Sequence, residues 1–227
     1  MTPNWLAAWR RRWLLYHLAD PHFSFMFDPA PPGEWVALDC ETTGLDVRRD
    51  RIVSIGAVRI VGNRLLTSQR LELLVRPERA LKADSVRVHR LRERDVAQGL
   101  APAQAMPRLL TFIGSRPLVG YYLEFDVAMI NREIWPLLGI RLPQRKIEVS
   151  AMYYDFKNRQ RPALERDGPI DLRFATMLND LALPTRESHD ALNDAVMAGL
   201  AFLKLRCLLQ DPGLKPPVPG QSATARG

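Results

Sequence analysis

The stretch Val36-Ala37-Leu38-Asp39-Cys40-Glu41-Thr42-Thr43-Gly44 constrains this chain more than any other. An apolar run carries two carboxylates, one residue apart, to its end and then breaks at a glycine. In a strand, side chains i and i+2 leave the same face, so Asp39 and Glu41 project together while Cys40 turns the other way, into core packing. Carboxylates held that close repel, and they either share a proton or hold a cation. A cation needs further oxygen ligands from elsewhere in the chain.

With 227 residues, 47% of them hydrophobic and 25% charged, the chain has the balance of an ordinary globular protein and room for a full core. No apolar run approaches the roughly 18 to 20 residues of a membrane span. Arg10, Arg11 and Arg12 sit inside the apolar stretch at the N-terminus and not ahead of it, which argues against a signal peptide. The formal net charge of +7 favours polyanionic partners, nucleic acid first among them. Cys40 and Cys207 have no metal-ligand spacing; they read as buried thiols of a reducing compartment, and a cytoplasmic location is expected.

Residues 1–33 read as a Trp- and Arg-rich helical arm followed by a Pro linker. Trp5, Trp9, Trp13 and Tyr16 fall on one helical stripe, which its own domain, a protein partner or an anionic membrane surface can cover. The main domain is expected at 34–209 and a disordered tail at 210–227. From Trp35 the pattern is β: the opening stretch, then Arg51 to Val61, then about Leu65 to Val75. Short turns between them make an antiparallel meander. A charged segment from Ala83 to Gly99 reads as short surface helices, and Ala103 to Ile113 as an amphipathic helix. A fourth strand from Leu118 to Tyr121 precedes a helix from Val127 to Leu138, and a fifth strand is expected between Arg145 and Ser150. Met152 to Pro169 has no clear pattern. Asp171 to Leu181 reads as an N-capped helix with Leu172, Ala175, Leu178 and Leu181 inward, and Asp190 to Leu209 as the final helix. This order makes an α/β fold, a mixed five-stranded sheet flanked by helices.

Three places concentrate acids: Asp39 and Glu41 at the end of the first strand, Asp126 at a strand-to-helix junction, and Asp194 in the final helix with His189 just ahead of it. An all-oxygen set suits Mg²⁺ or Mn²⁺ over zinc, and a mobile histidine beside it suits a general base. Phosphodiester hydrolysis with two divalent cations uses such a set.

The motifs Asp39-Cys40-Glu41-Thr42-Thr43-Gly44-Leu45, Phe125-Asp126 and His189-Asp190-Ala191-Leu192-Asn193-Asp194-Ala195 resemble the DEDD superfamily of 3′–5′ exonucleases. Within it the chain is similar to the DEDDh (DnaQ-like) branch, the group of bacterial polymerase proofreading subunits and RNase T, from about Trp35 to Leu205. The resemblance implies a ribonuclease H-like fold. It also implies release of nucleoside 5′-monophosphates from 3′ ends of single-stranded nucleic acid, DNA favoured, in proofreading or repair. By the same resemblance Asp39, Glu41, Asp126 and Asp194 bind two Mg²⁺ or Mn²⁺ ions, His189 is the base, and Thr42, Thr43 and Gly44 contact the terminal nucleotide. Where the family usually carries His-Asn-Ala before Phe-Asp, this chain has Tyr121-Tyr122-Leu123-Glu124. Tyr121 and Tyr122 therefore enter the substrate pocket as candidates for stacking on a base or for completing the core, and Glu124 reads as a solvated loop residue. The rival uses are a nuclease-fold module that binds nucleic acid or a protein without cleaving, and an exonuclease of RNA or short oligonucleotides.

Overall fold

Strand β1 (Glu34–Thr42) is the middle of a five-stranded sheet in the order β3-β2-β1-β4-β5 in the computed structural model, which describes residues 4–76, 98–162, 168–184 and 190–210. β2 (Ile52–Val61) and β3 (Arg64–Leu74) complete an antiparallel meander. On the other side of β1, β4 (Leu118–Gly120) and β5 (Lys146–Glu148) pair in parallel. The elements follow the expected order, with a helix between each parallel strand and the next.

Alternation along β1 divides the molecule into two cores. Val36, Leu38 and Cys40 face one, which is built with α2 (Pro102–Ile113) and α3 (Leu123–Leu138). Ala37 faces the other, made by α4 (Val149–Gln160), α5 (Phe174–Asp180) and α6 (Ala191–Gln210). Period 2 thus places Asp39 and Glu41 on the α6 side and leaves Cys40 in packing, as expected.

α1 (Asn4–His17) and a 3₁₀ helix (Pro21–Phe27) precede the sheet. Leu18, Phe23, Met26 and Phe27 are buried in the first core, with Leu14 and Leu15 packed against it. The Trp stripe is not what docks. Trp5, Trp9, Trp13 and Tyr16 are 68, 64, 48 and 85% exposed. The aliphatic face of α1 takes the contact, through Leu14 and Leu15.

Several boundaries differ from the sequence pattern. α3 begins at Leu123 and not at Val127, so Glu124 and Asp126 lie in its first helical turn. Its N-terminal groups are capped from a distance, since Tyr122 N and Leu123 N donate to the Glu148 carboxylate at 3.0 and 2.9 Å. Met152 to Gln160 belongs to α4, with Tyr153 and Phe156 buried. α5 starts at Phe174, three residues later than Asp171. This rotates the inward set to Met177, Leu178 and Leu181 and leaves Ala175 exposed. Cys207 is exposed, not buried, and both cysteines are free thiols. The charged segment 83–97 with His89, His189, and the tail after Gln210 lie outside the described residues. Among the described residues no helix is long and apolar enough to cross a membrane.

Candidate active site

The two carboxylates of β1 acquire a third because α6 comes unusually close to the sheet. Asp39 pairs in register with Gly56 on β2. A Cβ on Gly56 would lie 2.2 Å from Ala191 C and Leu192 N, so the missing side chain is what lets the first turn of α6 rest on the strand. Asp190 caps that turn, accepting from Asn193 N at 3.0 Å through its carboxylate and from Asp194 N at 2.9 Å through its carbonyl. Asp194 is thereby placed over β1. Carboxylate oxygens of Asp39, Glu41 and Asp194 lie within 4.8 Å of one another.

Asp126 arrives from the opposite side. β4 ends at Gly120, and the backbone of β1 beyond Leu38 has no parallel partner there. Asp126, from the first turn of α3, fills the gap by accepting the Cys40 N–H at 3.2 Å. It is not among the three clustered acids, yet its charge acts on Asp39, and the charge of Glu41 acts on it.

Burial pushes the Asp39 carboxyl well above its usual range, and the charges of Asp126, Asp194, Glu41 and Asp190 push it further. Asp126 is also raised, by burial first, although the N–H groups of Cys40 and of its own backbone oppose the shift. Two carboxylates at 4.8 Å repel by about 3.5 kcal/mol at an effective dielectric of about 20. Against a total stability of about 5–15 kcal/mol, that is too large to leave uncompensated. The donor set is all oxygen, convergent and electrostatically frustrated, and it fits a hard divalent cation.

The turn after β1 is held by an acid to which the sequence pattern assigns no role. Asp50 is buried; it accepts from Thr43 Oγ1 at 2.9 Å and from Asp46 N at 2.8 Å, while Thr43 Oγ1 also accepts from Arg51 N at 3.0 Å. Thr42 Oγ1 donates to Gly44 O at 2.7 Å. A Cβ on Gly44 would meet the Asp50 carboxylate at 2.5 Å, which is why this turn takes a glycine. A β-bulge between Glu41 and Thr42 marks where regular pairing ends.

The two tyrosines separate. Tyr121 stacks on Phe174 with ring centroids 4.6 Å apart and donates its hydroxyl to Leu172 O at 3.0 Å; burial, then Tyr122, pushes its hydroxyl up to about 12, so it stays neutral. Tyr122 is 58% exposed in the left-handed region, with φ of 52°. Glu124 is an exposed helical residue paired with Lys146 at 2.6 Å. His189 lies outside the described residues, one position before the cap of α6. Asp50, Glu148, Asp190 and Gly56 had no functional assignment from the sequence, because each acts through a partner set by register or by tertiary contact.

A family model for exonucleases, RNase T, matches residues 36–202. A DNA polymerase III subunit epsilon-like protein of Rhodobacter capsulatus is 32% identical over 184 residues, which cover 79% of this chain and 25% of that protein. The chain thus spans a quarter of that relative's length. Among solved structures, the zinc-bound complex of E. coli ExoI with single-stranded DNA superposes with a TM-score of 0.65 at 14% identity, over 81% of this chain and 42% of that one. Exonuclease X in complex with 5′ overhanging duplex DNA gives 0.57 at 19% identity, over 80 and 95%. These two establish the ribonuclease H-like arrangement of the sheet. With most of its length matched by the family model, the chain belongs to the RNase T exonuclease family, as a DnaQ-like member of the DEDD type.

Proposed function

We propose that the protein is a metal-dependent 3′–5′ exonuclease that removes nucleoside 5′-monophosphates from single-stranded 3′ ends, with DNA favoured. The observation that carries this is the convergence of Asp39, Glu41 and Asp194 oxygens within 4.8 Å. The ExoI neighbours solved with single-stranded DNA support the substrate class, and the epsilon-like relative supports DNA and a proofreading or repair role.

Asp39, Glu41 and Asp194 would hold two divalent cations, Mg²⁺ or Mn²⁺, with Asp126 completing the set. When bound, such ions supply a Lewis acid for the phosphate oxygens and ionise water near neutral pH. His189 takes the proton of the attacking water. The water oxygen adds to phosphorus, the bond from phosphorus to the penultimate O3′ breaks with its electron pair left on that oxygen, and a proton taken up from solvent makes it the new 3′ hydroxyl. Thr42, Thr43 and Gly44 border the terminal nucleotide through a turn that Asp50 keeps rigid, and Tyr122 offers an exposed ring for a base. Tyr121 supports that rim from beneath by stacking on Phe174. The free thiols and the nucleic-acid substrate are consistent with work in the cytoplasm.

Incubating the purified chain with 5′-labelled DNA and RNA oligonucleotides tests this. Mg²⁺ or Mn²⁺ should give a ladder shortening from the 3′ end with 5′-mononucleotide product; EDTA or a blocked 3′ end should give none. Internal cuts, or binding without cleavage, would replace the proposal. If His189 is the base, the wild-type rate falls below the pH at which His189 becomes protonated, while His189→Ala loses about 10²–10⁴-fold in kcat and this pH dependence. Asp50→Ala removes the acceptor of Thr43 and Asp46, and should cost about 1–3 kcal/mol of stability and raise KM more than it lowers kcat. Thermal melts and steady-state kinetics of that variant read both effects.

A further inference from the structure

A groove of about 730 Å³ lies beside α3, outside the carboxylate cluster. Five cations line it: Arg10 on α1, Arg48 in the β1–β2 loop, Arg132 on α3, Arg141 ahead of β5, and Lys146 in β5. Glu124 is the acid among the lining residues, and Lys146 already holds it at 2.6 Å. Arg132 is also engaged, donating to the Val47 carbonyl and pairing with Glu133 at 3.4 Å. Arg10, Arg48 and Arg141 have no ion-pair partner among the described residues, so positive charge is left over in a confined space. Trp135 stands in the same wall, 55% exposed.

The groove adjoins the site by chain connection at two points. Val127, in its lining, follows Asp126, and Val47 and Arg48 lie within the turn from Thr43 to Arg51 that Asp50 holds. Between Glu124 and Trp135 it extends roughly 16 Å along the helix, the length of about five stacked nucleotides. Arginines without an ion-pair partner among the described residues, beside an open indole, match the alternating phosphates and flat bases of a single strand. An acidic peptide would satisfy the charges but leave the ring without a planar partner.

We propose that this groove is a second binding site, holding phosphates and one base of single-stranded nucleic acid several nucleotides 5′ of the terminus. The proposal rests on the exonuclease reading above and adds to it a site that governs the length of substrate preferred. Wild-type KM should fall as oligonucleotides lengthen from about two to about eight nucleotides and then level off. In Arg48→Ala/Arg141→Ala that gain disappears: KM for an oligonucleotide of about twelve nucleotides rises about tenfold, and the two proteins converge on the dinucleotide. Losing two phosphate contacts should lower the slope of log KM against log salt by about 1.4, at about 0.7 per contact. Trp135→Ala should weaken long substrates by about tenfold without changing the salt slope. Unchanged length dependence in both variants overturns the proposal.

Fluorescence anisotropy with a labelled oligonucleotide in EDTA separates this failure from failure of the exonuclease reading. Binding by wild type that the double variant loses upholds the groove even if no cleavage occurs; equal binding by the two overturns it. Binding of a labelled poly-glutamate peptide together with no oligonucleotide binding would assign the groove to a protein partner and overturn it as well.

Discussion

Asp39→Asn should abolish turnover and at the same time make the metal-free protein harder to unfold. The carboxylate stands at the centre of the charge cluster, raised by burial and by four neighbouring acids. An amide of the same shape removes the repulsion and keeps the packing. Without this oxygen anion the cation site loses a ligand, and kcat should fall by about 10²–10³-fold or more, the scale seen when one preorganised electrostatic group is removed. A relief of about 1 kcal/mol would raise Tm by about 2–4 °C in a chain of this size. Mg²⁺ or Mn²⁺ should raise the Tm of the wild type by binding the folded state, and that shift should shrink or vanish in the variant.

The pH dependence follows from the same shift. The folded-state Asp39 carboxyl is raised above an unfolded value of about 3.9. Between those two values the folded chain binds the extra proton, so this group's contribution to stability declines as pH rises through the window and stays low above it. Asp126 acts in the same direction. Asp171 acts the other way: hydrogen bonds from Arg173 hold its carboxyl well below the usual range, and its contribution is lost on acidification. In metal-free wild type the joint contribution of Asp39 and Asp126 should therefore fall as pH rises above about 3.9, and Asp39→Asn should flatten that slope. Melts in EDTA across this range would measure it. A variant less stable than wild type, with its metal-dependent shift intact, would remove Asp39 from the cation site.

The parts of the fold written in local periodicity were legible from the sequence. Alternation in β1 assigned Asp39, Cys40 and Glu41 to their faces, and the short polar turns gave the meander. The acids were legible because motif spacing ties them to element ends, and the ends of β1, α3 and α6 meet at the same end of the sheet. Long-range effects were not. The start of α3 depends on Glu148, which caps it across 25 and 26 positions of sequence separation. α4 has only four buried residues among polar ones, so its helical period is faint. The Trp stripe is a genuine periodic pattern whose burial the pattern alone could not decide, and the structure leaves it exposed. Asp50 looks like an ordinary turn residue until the approach of Thr43 shows what it holds.

Gly56→Ala should disable the enzyme from a position that carries no functional group. The added Cβ would sit 2.2–2.3 Å from backbone atoms of Ala191 and Leu192, and backbone in a capped helix cannot swing aside as a side-chain tip can. The first turn of α6 must lift, taking Asp194 away from Asp39 and Glu41. Overpacking of this kind costs about 1–3 kcal/mol, and a displacement of about 1 Å at reacting groups costs about 10²-fold in rate. Gly199→Ala is the matched control on the same helix: its Cβ would meet the Leu65 Cδ1 tip at 2.6 Å, a contact that a rotamer change relieves, and Ala37 Cβ at 3.3 Å, which a shift of a few tenths of an ångström relieves. That variant should lose stability to a smaller extent and keep kcat per folded molecule. Mn²⁺ titration followed by Tm separates the two mechanisms, since Gly56→Ala should weaken the metal-dependent shift and Gly199→Ala should leave it unchanged. Equal kcat in wild type and Gly56→Ala would mean that α6 can hold Asp194 in place without resting on β2.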